Sequence, residues 1–545
     1  MKPIQDLLTA AINQSLKKLG LRKEELPEVI LDFPTDPRFG ELSTNIALKL
    51  AKIIKKSPVE AAKEIIPGIK SNLKKHKLDK FIKDIRVEGA GFINFYLYND
   101  FFLEYLKLLL SKGDSALKVN YGKGRKVLIE FVSANPTGAL SVAHARQAAV
   151  GDCLSNVLEF SGFKVKREYY LNDEGNQINI LGRSIELRLK ELNGDNIEFP
   201  EDYYQGDYIT DIARIIRDKH LEIKDFSEFG KDHILGIIKQ ELADFGVKFD
   251  YWYSQRSLRE SGKIEKAFLV LREKGYLYEQ DGAVWFKSTA FGDDKDRVVV
   301  KSDGSFTYLA PDIAYHRDKY RRGFELLINL WGPDHHGYIN RLKASCAAFG
   351  KDPASLSIII VQLATIFRGG KPVQMSTRRG EFITLREVLD EVGSDAARFF
   401  FLMRRTSSHL DFDLEIAKKQ TSENPVYYVQ YAHARICSIL RSAGKRAKIK
   451  SSSLLLLKEA EEISLLKKLW QFSYILNVCV LTQDPFMLTI YLQELAEHFH
   501  KFYDLHRVLS DDDALTEARL GLINGARIVL STGLKLLGVS SPEKM

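Results

Sequence analysis

Near the start of the chain Leu7, Leu8, Ala11, Ile12 and Leu16 recur at helical spacing, with polar residues between them. Ser57 followed by Pro58 predicts the start of another helix, because a first-turn proline gives up no needed N–H. The run at 91–97 reads as a strand, so residues 1–110 are expected to form a small α+β unit. Residues 111–126, with several Gly and Lys, read as a linker. A short apolar run follows at 127–132, interrupted by Glu130 and ending in a Pro-Thr-Gly turn. From about Ala143 the period is helical, with Val150, Leu154, Val157 and Leu158 as the buried stripe and Gly162 placed to end the helix. Residues 164–170 alternate as a strand. This strand–helix–strand order predicts a parallel α/β sheet.

Residues 180–290 read as mostly helical and resemble an insertion, and a second strand–helix series occupies about 297–365. Beyond Leu385 the helical period dominates. Residues 425–545 look all-helical, broken by a basic, Ser-rich stretch at 441–453. No internal repeat is visible.

With 545 residues the chain exceeds one core, and about 150 residues per domain suggests roughly three or four domains. Apolar residues make up 45% and charged residues 28%, a globular balance that leaves no reason to expect disorder. The net charge of +8 permits a polyanionic partner without demanding one. Cys153, Cys346, Cys437 and Cys479 lie far apart, which argues against a thiolate zinc site or a disulfide scaffold. The first twenty residues lack an apolar signal core, and the longest apolar stretch noted, at 358–361, is too short to span a bilayer. A cytoplasmic protein without a membrane partner is expected.

In a parallel sheet, ligands bind where strands feed into helices. Ser133 and Asn135 sit at such a junction, and the helix after them starts near Ser141 and His144. Its free N–H groups suit phosphate, and Ser141 and His144, three apart, share one face. The plainer reading makes Ser141 an N-cap and His144 an ordinary histidine. Later, residues 368–380 form a basic, hydroxyl-rich loop. Its Lys371, Arg378 and Arg379 could hold the β and γ phosphates, or the loop is a solvated basic surface. Glu130 is an acid inside an apolar strand; it either awaits a cationic ligand or forms a structural salt bridge. Tyr308 and Asp312, four apart at another strand-to-helix junction, could line the same pocket. Asp334, His335 and His336 cluster, but no third histidine follows at helical spacing, and no metal site is expected.

These segments match a family in order. NPTGALSVAHAR at 135–146 resembles the arginyl-tRNA synthetase form of the class I His-x-Gly-His motif, and QMSTR at 374–378 resembles the second class I motif, KMSKS. YLNDEGNQ at 170–177, WGPDHHGY at 331–338, DAARFF at 395–400 and NPVYYVQYAHAR at 424–435 also agree. The similarity runs over essentially the whole chain. Two departures stand out: Ser141 and Ala143 replace the first histidine and the glycine, and Gln374 and Thr377 replace the two lysines.

The resemblance implies a multidomain α/β enzyme. It has an N-terminal α+β domain contacting the tRNA elbow (1–110) and a Rossmann-like parallel-sheet catalytic domain (120–385, helical insertion about 180–290). A connecting helical segment (386–424) leads to a C-terminal all-α anticodon-binding bundle (425–545). It implies ATP, with Mg²⁺ bound to it, L-arginine and tRNA(Arg) as partners, and a monomer. Ser141, Ala143, His144, Gln374, Met375, Ser376, Thr377 and Arg378 would bind ATP, with Ser141, His144, Ser376 and Arg378 catalytic. Glu130, Tyr308 and Asp312 would surround the guanidinium, Ser133 and Asn135 the amino-acid head group, and His336 the pocket edge. A planar cation with five donors calls for such carboxylates. Asn94 and Tyr96, on one face of a strand, are candidates for tRNA contact, as are Tyr427, Gln430 and Tyr431, although tyrosines at that spacing are also ordinary helix core. Two rivals remain: a class I paralogue with another amino acid or acceptor, and a tRNA-binding homologue with impaired catalysis.

Overall fold

The structure is a computed structural model that describes residues 4–34, 36–373, 383–444 and 450–545. The chain falls into two compact units, Met1–Ala116 with Ala443–Ser473 and Lys501–Gly525, and Leu117–Ser442 with Tyr474–His500 and Ala526–Met545.

In the first unit α1 (Ile4–Lys17), α2 (Ile46–Ile54), α3 (Pro58–Lys75) and α4 (Asn99–Lys112) accompany a three-stranded antiparallel sheet. Its strands are β1 (Leu42–Thr44), β2 (Ile82–Glu88) and β3 (Phe92–Leu97), in the order β1-β3-β2. Ser57 starts α3 with a reciprocal capping box: its hydroxyl accepts from the Glu60 N–H, while the Glu60 carboxylate accepts from the Ser57 N–H. Trp470 lies edge-on to Phe33, Phe101 and Phe102, with centroids 5.0–5.5 Å apart.

The second unit is built on a five-stranded parallel sheet. Its strands are β4 (Lys126–Glu130), β5 (Lys164–Leu171), β6 (Tyr251–Ser254), β10 (Leu326–Trp331) and β11 (Leu356–Ile360), in the order β11-β10-β4-β5-β6. Between β4 and β5 runs α5 (Val142–Phe160), closed by Gly162 at φ 87°. Gly151 lets α5 lie directly on β4's extension, since a Cβ there would meet the Phe131 ring at 2.3 Å. The stretch 180–290 is less purely helical than its sequence period suggests. Besides α6 (Asn176–Leu192), α7 (Asp207–Asp218), α8 (Phe226–Asp244), α9 (Gln255–Glu260) and α10 (Lys263–Glu273), it contributes the sheet's edge strand β6. It also holds β7 (Leu277–Gln280) and β8 (Ala283–Phe286), which pair with β9 (Arg297–Val300) in a separate antiparallel sheet. Four-residue strands between long helices are too short for a period of two to emerge.

α11 (Leu309–Arg321) leads into β10, and α12 (Ile339–Ala348) into β11. After β12 (Ala364–Arg368) and β13 (Lys371–Pro372) the chain continues through α13 (Leu385–Leu402), β14 (Leu410–Asp413), which pairs parallel to β12, and α14 (Leu414–Lys418). The remaining helices are α15 (Pro425–Ala443), α16 (Ala460–Thr482), α17 (Phe486–Leu505) and α18 (Asp513–Leu537). By length and composition α18 alone among the described helices is apolar enough to cross a membrane, but 72% of its apolar window is buried inside the protein, as in a core helix.

Candidate active site

Strand order reverses between β4 and β10: the chain leaves β4 toward β5 and β6, then returns on β4's other side at β10 and β11. The crevice at the C-terminal ends of these two strands is the expected ligand position for such a sheet. Glu130 is the last residue of β4 and is aligned with Asn329 of β10 on one side and Glu168 of β5 on the other. All three are buried. Directly after the strand, Val132 (φ 67°) and Ser133 (φ 41°) both adopt left-handed backbone. That conformation is costly for a β-branched residue and clusters at functional sites.

Glu130 already has one cationic partner inside the protein. Lys319 of α11, itself fully buried, forms an ion pair with its Oε2. Of the two readings the sequence leaves open for Glu130, the structural salt bridge is present, with a partner 189 positions away on α11. Glu130 Oε1 keeps a single long bond, from Ser133 Oγ at 3.3 Å. Asp312, about two turns earlier on α11, is half-buried with its carboxyl end enclosed, and accepts from Tyr338 Oη at 2.7 Å. Burial pushes that carboxyl up to about 7 from an ordinary 3.8. The Tyr338 hydrogen bond opposes the shift, the nearby Glu130 charge adds to it and Lys319 offsets it. The Glu130 charge thus reaches Asp312, although the two acids come from distant stretches.

Tyr170, held by Gln255 Oε1 at 3.0 Å, belongs to this neighbourhood: burial, then Asp312 and Glu130, push its phenol up. Tyr308 caps the start of α11 and is 89% exposed, its ring in solvent. His336 is exposed on a 3₁₀ turn after β10, and the neighbouring His335 pairs with Asp334 at 3.3 Å. No group of three or more His, Cys, Asp or Glu among the described residues is arranged to hold a metal. Ser133 Oγ accepts from the Tyr170 N–H at 3.0 Å, and Asn135 donates to Gln177 Oε1 at 2.6 Å from an exposed position.

At the start of α5, His144 Nδ1 accepts from the Ser141 N–H at 3.2 Å and lies 3.1 Å from Ser141 Oγ. Burial pulls the ring down to about 4. It is therefore neutral at pH 7, with its proton on Nε2, a donor without a charge. Ala143 lies in the same first turn. Residues 140–142 bond across to 383–385: Val142 N–H donates to Ile383 O at 3.2 Å and Leu385 N–H to Leu140 O at 2.7 Å. Arg146, with no carboxylate partner among its hydrogen bonds, donates to the carbonyls of Gln362, Leu363, Arg405 and Ser408 at 2.8–3.2 Å. Gln374, Met375, Ser376, Thr377 and Arg378 lie outside the described residues. Their flanks are fixed, on one side by the β12–β13 hairpin and on the other by the Ser141–Thr384 bridge. Residues 383–385 are thus tied to the first turn of α5.

On α15, Tyr427 and Tyr431 stack at 5.9 Å, and Arg435 donates to Tyr431 Oη at 2.7 Å. Gln430 is buried and donates to Asp395 and Ser540. In the first unit Asn94 is buried and accepts from Ser43 Oγ at 2.6 Å, whereas Tyr96 is half-buried and donates to Arg38 O.

Sequence reasoning missed Lys319, Tyr315, His316, Asn329, Glu168, Tyr170 and Tyr338. A signal was there: Asp312, Tyr315, Lys319 and Arg322 recur at helical spacing as a polar stripe, where a helix packed on a sheet ordinarily shows an apolar one.

Models of three domains match the chain: the "Arginyl tRNA synthetase N terminal domain" at 6–97, "tRNA synthetases class I (R), catalytic domain" at 105–413 and the "DALR anticodon binding domain" at 429–545. An arginine–tRNA ligase from Citrifermentans bemidjiense is 47% identical over 539 residues, covering 96% of each chain. One from Bacillus licheniformis is 45% identical over the full length of both. The chain belongs to the arginyl-tRNA synthetases. The solved Thermus thermophilus arginyl-tRNA synthetase, 22% identical, shares the fold across the whole of both chains with a TM-score of 0.79. This synthetase is a class I ligase that joins arginine to tRNA and uses ATP to do so.

Proposed function

We propose that the crevice between β4 and β10 is where arginine is activated, with Asp312 and Glu130 taking the guanidinium. The observation that supports this most is that Glu130, at the end of β4, is near enough to raise the Asp312 carboxyl, which accepts from Tyr338, while both acids act on Tyr170. A delocalised cation suits such a site, because its N–H fork meets carboxylates and its flat face meets rings. Ser133 and Asn135 take the α-amino and carboxylate groups. Tyr308 contributes by swinging its exposed ring over the bound side chain, and His336 borders the pocket mouth.

The arginine carboxylate attacks the α-phosphate of ATP, displacing pyrophosphate. A terminal ribose hydroxyl of tRNA(Arg) then attacks the resulting adenylate carbonyl. No side chain becomes covalently bound; catalysis is alignment and stabilisation of phosphate charge. His144 Nε2, Ser141 and the α5 backbone N–H groups face the phosphates. Gln374, Met375, Ser376, Thr377 and Arg378 close over the pyrophosphate, with Lys371, Arg378 or Arg379 replacing the missing motif lysines. Mg²⁺ enters as the counter-ion of ATP. Residues 425–545 read the anticodon with Tyr427 and Tyr431, and residues 1–110 touch the elbow with Tyr96, while the buried Gln430 and Asn94 support these surfaces from within. The enzyme acts as a cytoplasmic monomer. Aminoacylation of tRNA with arginine, lysine and citrulline in turn tests the reading. Arginine alone should be charged efficiently, and efficient charging of citrulline, which has arginine's shape without its charge, would refute the carboxylate pocket.

A further inference from the structure

Lys319 is a buried ammonium that the reaction itself does not call for. Two hydrogen bonds and one aromatic face hold it within the protein. One N–H meets Glu130 Oε2, another donates to Asn329 Oδ1 at 3.1 Å, and the ammonium lies 4.2 Å from the centre of the Tyr315 ring. The chain of contacts continues: Asn329 Nδ2 is 2.8 Å from His316 Nε2, and His316 Nδ1 is 2.9 Å from the carbonyl oxygen of Asp312. Only one assignment of protons satisfies every link. Facing a carbonyl, His316 Nδ1 must carry the ring proton, so Nε2 accepts from the Asn329 amide, whose oxygen is left for the ammonium. His316 is therefore neutral, as burial and the adjacent Lys319 also demand. A continuous relay connects the strand end bearing Glu130 to the helical turn bearing Asp312.

We propose that Lys319 is a positioning residue for arginine selection: it compensates the Glu130 charge and, through Asn329 and His316, fixes that carboxylate relative to Asp312. The pocket then offers one uncompensated negative charge to a substrate side chain with one positive charge. Glu130 Oε1, bonded only to Ser133, remains directed at the substrate as an acceptor of fixed orientation. Without Lys319, the Glu130 charge would stand uncompensated beside Asp312 and make that carboxyl hold its proton to higher pH, leaving a donor facing guanidinium N–H groups over a wider range. This proposal rests on the reading of Glu130 and Asp312 as the guanidinium pocket.

The test is ATP–pyrophosphate exchange by the full chain with tRNA present, measured for Lys319→Met, Glu130→Gln, their double variant and Asp312→Asn between pH 6 and 8. Lys319→Met should raise the KM for arginine at least about tenfold, leave the KM for ATP within about twofold, and move the pH dependence of the arginine KM upward. In the Glu130→Gln background the same change should add little, because no charge is left to compensate. Equal rises in both KM values, or an unchanged pH profile, would overturn the proposal. If Lys319→Met does not fold, the double variant, which strands no lone charge, decides: a further tenfold rise over Glu130→Gln alone contradicts compensation. Asp312→Asn separates the two levels. If it leaves the arginine KM unchanged, the pocket reading itself fails; if it raises that KM while Lys319→Met does not, only the role of Lys319 fails.

Discussion

Changing the pH from 6 to 8 should tighten arginine binding about tenfold, because Asp312 must lose a proton before it can pair with a guanidinium. Its carboxyl sits near 7 in the unliganded enzyme, raised chiefly by burial. A group titrating at 7 is ionised to about a tenth at pH 6 and about nine-tenths at pH 8, a ratio of roughly ten, while the guanidinium stays charged throughout. Arginine favours the ionised form, so binding at pH 6 should release nearly one proton, visible by calorimetry in buffers of different ionisation enthalpy. The stability sign follows by linkage. A carboxyl raised from 3.8 to about 7 holds a proton that the unfolded chain has lost. The free enzyme therefore loses stability as pH rises through that window, and saturating arginine removes the slope. Asp312→Asn should flatten the pH profile of the arginine KM as it raises that KM. An unchanged KM from pH 6 to 8 in the parent enzyme, or an undiminished slope in Asp312→Asn, would refute the assignment.

Gly151→Ala should cost about 1–3 kcal/mol in urea unfolding and weaken arginine binding, because the new Cβ would drive into Phe131, the residue after Glu130; unaltered stability would show that α5 has room to shift. Arg398, fully buried, donates to Leu537 O at 2.9 Å and pairs with Asp152. Arg398→Met should therefore destabilise the fold by about 3–5 kcal/mol, read as a lowered unfolding midpoint. His144→Ala should slow adenylate formation about 10²–10³-fold in single-turnover experiments, as loss of one preorganised donor does. The His144 ring should show no NMR titration between pH 6 and 8, since burial holds it near 4; a titration near 6.5 would contradict the neutral-donor role.

The sheet was legible because its strands and the α5 stripe obey simple periods: β4, α5, β5 and the Gly162 stop all occur within a residue or two of where pattern places them. β6 escaped because four residues set between helices carry no alternation of their own. Glu130 stood out as an acid within an apolar strand, and its setting at the strand end follows from that position. Lys319 did not, because a lysine on a helix ordinarily points to water, and only the return of β10 beside β4 turns that helix face inward. Gln430 shows the converse. Its place among tyrosines suggests base reading, yet its amide also tethers the chain end at Ser540 through side-chain and backbone contacts that no local pattern records.

A crystal structure with arginine bound measures the guanidinium pocket directly. The guanidinium should lie between residues 130 and 312, with N–H groups about 2.7–2.9 Å from Asp312 and from the second oxygen of Glu130. A side chain found elsewhere in the crevice, with Asp312 still held only by Tyr338, would contradict it.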